Sequence, residues 1–161
     1  MPNQAIQLMT KKILQHFNVT QAPIPVEQIA EKMNIKISYA PSTDYSGILI
    51  RKDGGALMGI NSDESPGRRR FTVAHELGHY FLEKGNAVSI DYRDNNSRPD
   101  KTVHETNADF FAANLLMPKW LLANDYKSTQ GSYEERLVRL SERYQVSREA
   151  MMWRLKNLNL R

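Results

Sequence analysis

The chain has no cysteine among its 161 residues. That excludes disulfide staples, thiolate metal ligands and a cysteine nucleophile. Any metal site must therefore be built from His, Asp and Glu, and histidine is scarce: His16, His75, His79 and His104 are the full set. Also missing is any run approaching the roughly 18 apolar residues that span a membrane. The opening stretch MPNQAIQLMTKKILQHF is amphipathic and lysine-bearing, with neither a continuous apolar segment nor a small-residue cleavage site. These absences lead to the expectation of a soluble, unexported, cytoplasmic protein with no membrane partner. There is no internal repeat and no low-complexity tract.

What is present suffices for one ordinary globular domain, 1–161, since 40% of the residues are apolar. The net charge is +4 and is unevenly spread: residues 131–161 hold seven Arg or Lys against four Glu. Such a bias is compatible with an acidic partner, although a solvated helical face is its commoner origin.

Apolar residues at Ile6, Met9, Ile13, Leu14 and Phe17 recur at helical spacing. Pro23 to Met33 reads as a second helix entered through prolines. Three short strands are expected at Lys36–Tyr39, Gly47–Ile50 and Ala56–Ile60, with Asp53-Gly54-Gly55 as the hairpin turn between the last two. Helical periodicity resumes from Pro66 through Leu82. Residues Gly85 to Thr102 are rich in Asn, Asp, Ser and Arg, with Pro99, and read as a long polar loop. Val103 to Met117 is helical and stops at Pro118. Two further helices are expected at Tyr133–Tyr144 and Ser147–Leu158, making 131–161 a C-terminal helical subregion packed on the rest. The whole is α+β: mainly helical, with a small three-stranded sheet.

His75-Glu76-Leu77-Gly78-His79 is an H-E-x-x-H motif. On a helix, positions i and i+4 share a face, so both imidazoles can reach one ion. Glu76 is turned by about 100°, beside the place where a water on that ion would sit, and can take the proton of a water attacking a peptide carbonyl. Gly78 costs about 1 kcal/mol relative to Ala inside a helix, and a close neighbour packed there would explain it. Catalytic zinc needs a third protein ligand and an open fourth position. The candidate is Glu105, at the head of the next helix, with Asp109 one turn on to accept a hydrogen bond from the far nitrogen of a liganding imidazole. His104 is a rival. Adjacent helix residues point about 100° apart, and Glu105 is preferred because Ala108, Asp109, Ala112 and Leu116 share its side. His16 reads as a surface histidine. The expected cofactor is one zinc ion per chain.

Arg70-Phe71-Thr72-Val73-Ala74-His75-Glu76-Leu77-Gly78-His79, followed by Glu105-Thr106-Asn107-Ala108-Asp109-Phe110-Phe111-Ala112-Ala113-Asn114-Leu115-Leu116-Met117-Pro118, resembles the ImmA/IrrE family of metallopeptidases. The family pattern is R-F-T-x-A-H-E-L-G-H and then E-x-x-A-N-x-F-A-A-x-L-L-M-P. The likeness extends more weakly from about Pro25 to the C-terminus. It implies a zincin-like domain with metal at His75, His79 and Glu105 and Glu76 as catalytic base. Asp109 departs from the family, which more often has Asn there. The resemblance further implies a protein substrate, a helix-turn-helix repressor, whose cleavage derepresses phage or mobile-element genes.

Residues Leu140 to Leu155 resemble a helix-turn-helix, with Arg148 to Leu155 as the recognition helix. This supports an alternative: a DNA- or protein-binding regulator whose metal site is structural or vestigial. Two features weigh against it. Gln145 occupies the turn position that usually holds Gly, and Met151, Met152 and Trp153 suit packing better than base edges. A helical pair buried against the catalytic part is the preferred reading. Two further expectations concern substrate. The edge of strand Ala56–Ile60 would hold it by main-chain pairing, and Tyr80 or Tyr92 are open candidates for stabilising the oxyanion.

Overall fold

The computed structural model describes residues 2–85, 88–93 and 102–161; Pro99 lies outside them. Helix α1 (Pro2–His16) buries Ile6, Ile13 and Leu14. Helix α2 (Val26–Lys32) starts only after Pro25 and buries Val26, Ile29 and Ala30, so the prolines expected in its first turn precede it. Strands β1 (Ile35–Ala40), β2 (Tyr45–Lys52) and β3 (Gly55–Asn61) follow. Then come helix α3 (Pro66–Leu82), strand β4 (Val88–Tyr92), and helices α4 (Val103–Leu116), α5 (Lys119–Ser128), α6 (Tyr133–Tyr144) and α7 (Arg148–Asn157). No helix among the described residues is long and apolar enough to cross a membrane.

The architecture is α+β, with a four-stranded sheet in the order β1-β3-β2-β4. β1 runs parallel to β3, whereas β2 is antiparallel to both β3 and β4. This corrects two expectations. The sheet has a fourth strand, drawn from the segment read as polar loop. Val88-Ser89-Ile90-Asp91-Tyr92 does alternate, but with inverted sense: Asp91 is buried, while Val88 and Tyr92 are exposed. The second correction concerns Ala56–Ile60. β3 is a central strand whose main-chain groups pair on both sides, so it offers no free edge to a substrate.

Local signals explain where α3 and α4 begin. Ser65 caps α3, accepting from the Arg68 amide at 3.4 Å, with Pro66 in the first turn. Thr102 caps α4 by accepting from the Glu105 amide at 3.2 Å. The two helices meet at Gly78, where an added Cβ would lie 3.0 Å from the Ala108 Cα and 3.2 Å from its carbonyl oxygen. The neighbour is backbone and cannot swing away. Gly78→Ala is therefore expected to destabilise the fold by about 1–3 kcal/mol through overpacking, even though alanine is the better helix former; a denaturant midpoint at or above the parent's would contradict this.

Helix α5 was not foreseen, because Pro118 reads as a stop for α4 and serves equally as the residue that opens the next helix. The C-terminal pair lies within a residue of its expected bounds. Ser132 and Glu135 form a reciprocal capping box at the start of α6, and Gln145 takes the left-handed conformation between the helices at φ 53°. The pair is tied to the body through buried groups. Arg70 of α3 donates to the Gln145 carbonyl at 3.2 Å, and Arg154 donates to the Met117 carbonyl and to Asn114 Oδ1, both at 2.9 Å. Met151 is buried, as packing requires, but Met152 and Trp153 face outward, 39% and 49% exposed. They line an apolar groove with Tyr133 and Leu160.

Candidate metal centre

Helix α3 carries His75, Glu76 and His79, all nearly solvent-free, and α4 brings Glu105 and Asp109 against it. The spacing of four places both imidazoles on the face turned to α4, and the close approach at Gly78 lets the second helix come near enough to complete the cluster. His75 Nε2 and His79 Nε2 stand 3.1 Å apart. One Glu105 oxygen is 3.2 Å from His75 Nε2 and the other 3.5 Å from His79 Nε2. Donor atoms on a tetrahedral zinc, bonded at about 2.0–2.1 Å, lie about 3.3 Å from one another. The three groups thus have the chemistry and the spacing of a ligand set for an ion of that size.

Carboxylates stand behind both rings. Asp109 Oδ1 is 2.8 Å from His75 Nδ1, and Glu83 Oε1 is 3.0 Å from His79 Nδ1. Each carboxylate accepts from the Nδ1–H of its ring, so Nε2 is the atom left to each imidazole for binding an ion once any proton there has been displaced. Burial of His75 pulls its pKa down, but the hydrogen bonds to Asp109 and Glu105 outweigh this and push it up to about 10. Burial would raise Glu105, yet the two imidazoles hold it well below the usual carboxylate range.

Glu76 is the exception in this satisfied network. It is fully buried, and among the described residues neither carboxylate oxygen meets a hydrogen-bond donor. Burial pushes its pKa up to about 8 against the counter-pull of the neighbouring imidazoles. Strand β2 passes beside it at Gly47, where a Cβ would fall 2.5 Å from Thr72 Cγ2 and 3.1 Å from Glu76 Oε1. A side chain there would intrude on the carboxylate.

Two acids near the centre were not singled out from the sequence. Asp91 offers an oxygen within 4.8 Å of donor atoms of His75 and Glu76, and it was hidden because polar alternation in a loop-like segment gives no core signal. Glu83 sits four residues after His79, a helical spacing that could have flagged it. His104 is 69% exposed at its side chain and meets Glu83 Oε1 at 3.2 Å. Tyr80 lies with its ring 5.0 Å beneath the Arg51 guanidinium, Tyr92 is exposed, and His16 is on the surface.

Two histidines one turn apart on a buried helix, met by a carboxylate from the following helix beside a small sheet, make up a candidate metal centre of the kind that helix-borne metallopeptidases use. The sequence comparison agrees: the chain belongs to the peptidase family described as the IrrE N-terminal-like domain, which it matches over residues 30–156. The radiation response metalloprotease IrrE of Deinococcus radiodurans is 33% identical over 98 residues, covering 60% of this chain and 29% of that protein. Its namesake from Deinococcus deserti is 34% identical over 98 residues, covering 60% and 34%. The chain matches about a third of the length of these relatives. Among solved structures, a Mycobacterium tuberculosis transcriptional regulator shares the fold with a TM-score of 0.62 at 15% identity, over 94% of this chain and 46% of that one.

Proposed function

We propose that this protein is a zinc-dependent endopeptidase, with His75, His79 and Glu105 holding one zinc ion per chain and Glu76 as the catalytic base. The observation that carries the reading is the convergence of three donor groups at 3.1–3.5 Å beside a buried, undonated carboxylate. Bound zinc would supply Lewis acidity, polarising the scissile carbonyl and making water acidic enough to give up a proton near neutral pH. Glu76 accepts that proton as water oxygen bonds to the carbonyl carbon. It then delivers the proton to the amide nitrogen as the C–N bond breaks, so one carboxyl and one amine leave. Burial suits it to both halves, because desolvation brings its proton affinity towards neutrality. Asp109 fixes the ring of His75 from behind.

The substrate we infer is a helix-turn-helix repressor, cleaved to release phage or mobile-element genes. The family likeness supports it. Incubating the zinc-loaded chain with a repressor encoded beside its gene tests this. Two fragments that appear only with zinc are expected; an intact repressor would contradict the substrate assignment. The alternative, a DNA-binding regulator with a structural metal, draws on the shape of α6 and α7 and on the exposed Arg148. Met152 and Trp153 on the outer face of α7 weigh against it, and a salt-dependent shift of duplex DNA would favour it.

A further inference from the structure

Glu83 is placed where three constraints meet. It ends α3, with its amide donating to the His79 carbonyl at 3.0 Å. Its own carbonyl accepts from Arg51 of β2 at 2.6 Å, and the same guanidinium nitrogen reaches the carbonyls of His79 at 2.7 Å and Tyr80 at 3.0 Å. Arg51 thus caps the end of the helix that carries His79, which fixes the helix against the sheet and aims the Glu83 side chain inward. That side chain is 7% exposed. Its Oε1 serves two imidazoles, His79 Nδ1 at 3.0 Å and His104 Nδ1 at 3.2 Å. A buried carboxylate of this kind needs donors, and the two rings supply them.

The consequence lies in which elements these rings belong to. His79 is on α3, whereas His104 opens α4 and is bonded directly to Glu105 in the chain. We propose that Glu83 is a positioning residue of the metal centre: one of its oxygens orients His79 and, through His104, holds the first turn of α4 in the register that brings Glu105 to both imidazoles. Asp109, on the second turn of α4, does the corresponding work for His75. The inference rests on the proposed three-residue metal site and deepens it.

The test is zinc affinity, measured by chelator competition on the full chain, with no need for a substrate. Glu83→Ala is expected to weaken zinc binding about 10–100-fold, the usual cost of removing an outer partner of a liganding imidazole. Glu83→Gln retains an acceptor and should recover part of that loss. His104→Ala, which removes a mostly exposed partner, should weaken zinc binding about two- to fivefold, and an unchanged affinity would overturn the role given to His104. A nitrogen-15 spectrum of the histidine rings supplies a readout that a purely structural role would leave alone: in Glu83→Ala the His79 ring should lose its fixed Nδ1–H form. Glu83→Met keeps most of the buried volume but removes the acceptor, so it remains informative if the alanine variant does not fold. A Glu83→Ala or Glu83→Met chain with the parent's zinc affinity and the parent's His79 signal would overturn the proposal. A parent chain that binds no zinc would defeat the metal-centre reading itself, a result distinguishable from the first.

Discussion

Glu76→Gln is expected to keep zinc and lose hydrolysis. Glutamine has nearly the same shape and removes no metal donor, since His75 Nε2, His79 Nε2 and Glu105 converge without it. It cannot take up a proton, and general acid–base assistance is worth about 10²–10⁴-fold, so hydrolysis should fall by at least that range. The same variant has a second expected effect, on stability. The Glu76 carboxyl sits at about 8 in the fold against an ordinary 4.5. Because the folded value is raised, the unfolded chain gives up its proton first, and folding loses stability as pH climbs from 4.5 to 8. Removing the charge removes that loss. Metal-free Glu76→Gln should exceed the metal-free parent in stability by roughly 1–3 kcal/mol above pH 8, with the gap closing towards pH 4.5. Thermal melts across that range, beside zinc content and hydrolysis, check all three parts. Full hydrolysis in the variant would remove Glu76 from the chemistry.

His79→Ala is expected to lose both zinc and hydrolysis. Two protein donors would remain, and the loss in affinity should exceed the roughly 10–100-fold that outer partners command. The substitution also takes from Glu83 its shorter imidazole contact in a nearly sealed position. A buried acceptor left short of donors costs about 1–3 kcal/mol, so the variant should be less stable even without metal, the opposite direction from Glu76→Gln. If His79→Ala retained stoichiometric zinc, the ion would have to be held elsewhere.

Most of what brings these groups together was legible in the chain because it follows from helix periodicity. The spacing of His75 and His79 predicts a shared face, and the structure gives one, with the Nε2 atoms 3.1 Å apart. Gly78 inside a helix signals a close neighbour, and the Ala108 backbone is that neighbour. Of the adjacent pair, Glu105 turns to the imidazoles, whereas His104 stays largely in solvent.

The features that escaped share a physical cause: sequence patterns assume that polar residues face out. Strand β4 points Asp91 towards the site and exposes Val88 and Tyr92, so its alternation has the wrong sign for a core strand. Glu83 looks like an ordinary exposed helix-end acid until the end of α3 is seen packed under Arg51. Pro118 carries both the stop of one helix and the start of the next, and periodicity alone gives only the stop. The central place of β3 depends on β1 pairing in parallel across the hairpin, a long-range choice that no local spacing encodes.

Metal content per chain tests the central claim most directly. Elemental analysis of untagged protein purified without chelator should find about one zinc in the parent and far less in Glu105→Ala, since a catalytic site of this type uses three protein donors. A parent with no metal even after zinc is supplied, or a Glu105→Ala chain as fully loaded as the parent, would contradict the three-ligand centre.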